Sequence, residues 1–66
     1  MDNVDKYLAQ TNQTFQYLMS GALQYGPAYI NGLIEEALKD NKKIVFTPHL
    51  TNGEDLGLGT YSLEPL

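Results

Sequence analysis

Twenty-eight consecutive residues, Tyr7 to Ile34, contain no Asp, Glu, Lys, Arg or His. The stretch has helical periodicity, yet the face that should meet water is built from Gln, Asn, Ser and Tyr. Asp2, Asp5 and Lys6 precede it, and every other charge lies from Glu35 onward. Exposed helices normally carry charges that keep surfaces soluble and apart. A helical region without them suits a surface that meets protein rather than water, because interfaces are depleted in Lys, Glu and Asp and enriched in Tyr.

The chain in order predicts an α+β domain, ααββ, over residues 1–66. Asp2 or Asn3 can cap a first helix, and Asp5 sits near its positive end. Val4, Leu8, Thr11, Phe15, Leu18, Ala22 and Tyr25 recur at three- and four-residue spacing, widened by Met19 and Leu23. They predict one helix over 3–25, with Gly21 tolerated where a neighbour packs closely. Gly26-Pro27 is a boundary, since Gly ends helices and Pro begins them. A second helix over 27–40 buries Ile30, Leu33, Ile34, Ala37 and Leu38, and Asn41 caps it. The period then changes to that of a hairpin over 43–63, turning at Asn52-Gly53. A two-residue turn pairs Thr51 with Glu54, His49 with Leu56, Thr47 with Leu58 and Phe46 with Gly59. Phe46 would cover the gap at Gly59, and Pro48 would face an edge. A lone hairpin is marginal in water, so it must pack on the helices or extend another chain's sheet.

Composition excludes several classes of chemistry. With no Cys there is no disulfide or thiolate metal site, and one His cannot assemble a His-rich one. The net charge is −4, with four Lys and no Arg. Phosphate neutralisation and base reading both lean on such residues, so direct nucleic-acid binding is not expected. Lys39, Lys42 and Lys43 form the only basic cluster, interleaved with Glu35, Glu36 and Asp40, which also disfavours an anionic membrane surface. The N-terminus is acidic rather than a signal peptide, and the Gln and Asn of the uncharged stretch would be buried in lipid if it spanned a bilayer. A cytoplasmic protein is the expectation.

No residue set spells out catalysis. His49 beside Pro48 has no nucleophile or carboxylate in triad spacing, and reads as a strand histidine. Thr51 to Gly57 is acidic but lacks the alternating oxygen ligands of a calcium loop. Gly57-Leu58-Gly59-Thr60-Tyr61-Ser62 has no strand-to-helix context for a phosphate loop. Glu36 and Asp40 share a helix face with no apolar pocket to raise a pKa. No cofactor, metal or small-molecule substrate is expected.

These features together point to a small, non-enzymatic interaction protein, an inhibitor or accessory factor of the kind phages and mobile elements encode. Gln13, Tyr17, Gln24, Tyr25 and Tyr29 are its expected partner-binding residues, facing a second copy in a homo-oligomer or another protein. Two alternatives remain. Asp40, Glu54, Asp55 and Glu64 could imitate phosphates toward a nucleic-acid-binding protein. The hairpin could instead donate its edge strand within a larger, viral assembly.

Overall fold

The computed structural model describes residues 2–66. Four helices precede one antiparallel hairpin: α1 Asn3–Thr11, α2 Phe15–Leu18, α3 Ala22–Tyr25, α4 Pro27–Asp40, β1 Lys42–Thr51 and β2 Glu54–Pro65. The α+β architecture is therefore as the sequence leads one to expect, while the first half is more finely divided.

Instead of one helix over 3–25 there are three. Thr11 turns its hydroxyl back to the Tyr7 carbonyl, and Asn12 takes the left-handed conformation that Asn tolerates at a helix end. Thr14 is then extended and accepts the Tyr17 N–H, starting a fresh helix. Met19-Ser20 ends that turn, and Gly21 opens α3. Stop and start signals thus sit inside a stretch whose hydrophobic period alone reads as continuous.

Each break re-phases the helix after it. Leu18 remains in the core, but Phe15 and Leu23, expected on the buried stripe, are exposed, Leu23 to 92%. Tyr7, outside that stripe, is fully buried. α4 keeps its expected bounds, with Pro27 in the first turn and Asn41 left-handed at the end.

One core lies between the helices and the inner face of the hairpin. Ile30, Ile34 and Ala37 from α4 meet Ile44 and Phe46 of β1 and Tyr61 of β2, with Tyr7 and Leu18 closing the sides. The twelve residues of β2 at ~3.3 Å each give about 40 Å. That matches the 39 Å long axis of the molecule, so the hairpin sets its length. The helices cover only part of it. From Thr47 to Leu56 every residue is exposed, which makes the distal hairpin an arm.

The turn pairs Thr51 with Glu54 as expected, but further pairing is displaced: Thr47 lies opposite Thr60 rather than Leu58, and Phe46 opposite Tyr61 rather than Gly59. His49 alone separates Pro48 from Leu50, whereas Leu56, Gly57 and Leu58 separate Asp55 from Gly59. The two extra residues are absorbed at Gly57, which has φ +76° and donates its N–H to the Asp55 carboxylate. A two-residue displacement preserves which side chains face inward. It also places Tyr61 against Phe46, with ring centroids 4.9 Å apart.

Candidate functional site

The uncharged stretch forms a docking surface, and its first occupant is the hairpin of the same chain. On β1, the Ile44 N–H donates to the Tyr7 hydroxyl (2.6 Å), which itself donates to the Gln13 side-chain oxygen. The Gln13 amide nitrogen donates to the Ile44 carbonyl at 2.9 Å. The Phe46 N–H donates to the Tyr17 hydroxyl at 3.0 Å. On β2, the Gly59 N–H donates to Gln24 (2.8 Å), and the Tyr25 hydroxyl donates to the Gly59 carbonyl (3.0 Å).

These backbone groups turn away from the partner strand, so at its base both outer edges of the hairpin are occupied by side chains. Pro48 continues the same alternating row on β1, where its lack of an N–H costs the ladder nothing. Exposed strand edges are templates for pairing with another chain. Here the Gln and Tyr side chains cover them at Ile44, Phe46 and Gly59.

Of the five expected partner-binding residues, four are therefore engaged within the chain. Gln13 and Tyr25 are half-buried, whereas Tyr17 and Gln24 keep part of their surface in water. Tyr29 stacks on Tyr25 with centroids 4.5 Å apart and stays 45% exposed. The absence of charge has a local cause at these positions. A Lys or Glu bound to a strand's backbone would need its charge desolvated, whereas neutral amides and phenols offer the same hydrogen bonds without that cost.

Sequence reasoning missed Tyr7 and Tyr61, the two phenols at the centre. Tyr61 accepts the Gly21 N–H (2.8 Å) and donates to the Leu18 carbonyl (2.7 Å), satisfying the backbone between α2 and α3. Tyr7 was legible as the i+3 partner of Val4 and the i−4 partner of Thr11, a face that includes Leu8. Tyr61 falls on the inward face in either register, but its place opposite Phe46 depends on the displaced one.

Burial pushes both phenols above the ordinary value of 10.0, against hydrogen bonds from the Ile44 and Gly21 backbones that pull them down. A raised pKa means that the fold favours the neutral phenol. This contribution is complete below pH 10 and is lost as pH rises through the folded-state values. We expect cooperative unfolding above pH 10, with loss of ellipticity coinciding with a step in phenolate absorbance. Full ionisation of all five tyrosines with the helical signal intact would contradict this placement.

Away from the docking surface, His49 is exposed, with its Nε2 3.4 Å from the Thr60 hydroxyl. No cavity opens among the described residues, and none of their His, Asp and Glu side chains gather in threes as a metal would require. No helix is long and apolar enough to cross a membrane among them. The arm instead exposes Leu50 (61%), Leu56 (52%) and Leu58 (44%). Compared with known proteins, the chain matches no family model, no curated protein and no solved structure at a significant level.

Proposed function

We propose that this protein is a small, non-enzymatic interaction module that contacts another protein through its hairpin arm. The observation that carries the reading is the leucine set Leu50, Leu56 and Leu58, each about half exposed on the part of the hairpin that extends past the core. Isolated exposed leucines are ordinary, but three near the end of one hairpin concentrate apolar surface there. The uncharged helical stretch then has a supporting role. It holds the base of the hairpin by its backbone, so that the arm projects in one orientation and less ordering is required on binding.

The arm reading is favoured over the two alternatives on geometry. The acids Glu54 and Asp55 lie at the turn, whereas Asp40 and Glu64 lie at the base. From Thr51 to Lys43 the strand covers about 26 Å at ~3.3 Å per residue. That is about three screening lengths at physiological salt, so the two groups act as separate pairs of acids rather than as one concentrated field. At the base of the hairpin, donation of an edge strand would have to displace the side chains already bonded at Ile44, Phe46 and Gly59.

A photo-reactive amino acid at Leu56, with a control at Glu35 on the exposed side of α4, tests the reading in the native host. The expected result is a discrete protein adduct at position 56 and none at 35. No adduct at Leu56, or equal adducts at both, would overturn it.

A further inference from the structure

We infer that the bare outer face of the hairpin is a self-complementary surface, on which a second copy of this chain docks face to face. This rests on the interaction reading above and assigns it a partner. Ile44, Phe46 and Tyr61 turn inward, so alternation turns Lys43, Val45, Thr47, Thr60, Ser62 and Glu64 outward. Leu58 precedes Thr60 by two residues and extends that face. His49 within reach of Thr60 marks the same side. Val45 and Leu58 with β-branched threonines make a flat surface suited to sheet-on-sheet packing.

Two observations choose a second copy. First, the edges of the hairpin are masked at Ile44, Phe46 and Gly59, so association by strand pairing is closed there and the face remains open. Second, Lys43 and Glu64 are direct cross-strand partners on that face. A two-fold axis along the strands lays β1 of one copy over β2 of the other at equal height. Each Lys43 then meets Glu64 of its counterpart, twice over, and Thr47 meets Thr60. The other face-to-face two-fold, across the strands, lays β1 over β1 and β2 over β2, so Lys43 never meets Glu64. Charge therefore selects one of the two symmetric arrangements.

The size of the face sets the strength. Two strands about 10 Å wide and about 30 Å long offer a footprint of about 300 Å² per copy, below the ~800 Å² per partner of stable complexes. The dimer is accordingly a weak, transient one.

Sedimentation of the full chain from micromolar to millimolar concentration tests this, with Lys43→Glu and Glu64→Lys examined singly, mixed and combined. The wild type should show a monomer–dimer equilibrium. Either single reversal should weaken it about tenfold by opposing like charges. The mixture of the two single variants should associate with each other more tightly than either does with itself. The double variant should return to within about threefold of wild type. Circular dichroism on each variant separates lost association from lost folding. A wild type that stays monomeric at millimolar concentration, or a mixture that gains nothing, would overturn the inference. A monomer whose Leu56 still crosslinks to a different protein would overturn the dimer and leave the interaction reading standing. A monomer with no adduct would remove both.

Discussion

Gly59→Ala should unfold most of the protein at room temperature. A methyl group at that position would approach the Thr47 carbonyl and sit 2.7 Å from the Phe46 ring edge and 2.9 Å from Pro48 Cα. Two of these neighbours are backbone of the opposite strand, so a rotamer change cannot relieve the clash. Gly59 cannot retreat either, because Gln24 holds its N–H and Tyr25 its carbonyl. Overpacking costs about 1–3 kcal/mol where neighbours can adjust, and more where they cannot. A domain of this size commands only about 3–5 kcal/mol in total. Gly32→Ala is the matched control. Its added methyl meets nothing, and replacing glycine within a helix should stabilise by about 0.5–1 kcal/mol. Urea titration followed by circular dichroism should find Gly59→Ala largely unfolded before denaturant is added and the Gly32→Ala midpoint raised. An unshifted Gly59→Ala midpoint would mean that the hairpin does not approach itself this closely.

The second large effect is expected from Tyr61→Phe, which removes a single oxygen. That oxygen serves the Leu18 carbonyl and the Gly21 N–H at once, in a buried place. Its loss strands two backbone groups, each at about 1–3 kcal/mol when buried without a partner. We expect a loss of about 2–4 kcal/mol, on the scale of the whole domain's stability. Tyr29→Phe deletes the same oxygen from a half-exposed ring and should change stability by less than about 0.5 kcal/mol. If both variants melted alike, the hydroxyl of Tyr61 would be solvated rather than bridging α2 and α3.

The parts of this fold legible in the sequence are those fixed by local chemistry. Gly26-Pro27 and Asn41 bound α4, and Asn52-Gly53 turns the hairpin, since each of these residues acts through its own backbone preferences. Phe46 does lie over Gly59, though diagonally. Asn12 and Thr14 are equally local signals, hidden beneath an apolar spacing that runs across them. The register beyond Pro48 was not legible, because two extra residues at Gly57 leave no trace in a period of two. The docking roles of Gln13, Tyr17, Gln24 and Tyr25 were half legible. Their lack of charge marked a surface that meets protein, but a sequence does not say whose protein it meets first.

The bonds that join the two halves of the molecule all reach far along the chain, over separations of 29 to 43 residues. The helices N-terminal to α4 have nine, four and four residues, too short to persist alone, and an undocked two-stranded hairpin is marginal. Neither half can wait, formed, for the other. Loop closure must precede most of the reward, which is the arrangement that slows folding in a small chain. The same Gln and Tyr side chains that hold the finished hairpin therefore also make its folding a single concerted event, with no stable halfway form in which the strand edges lie bare.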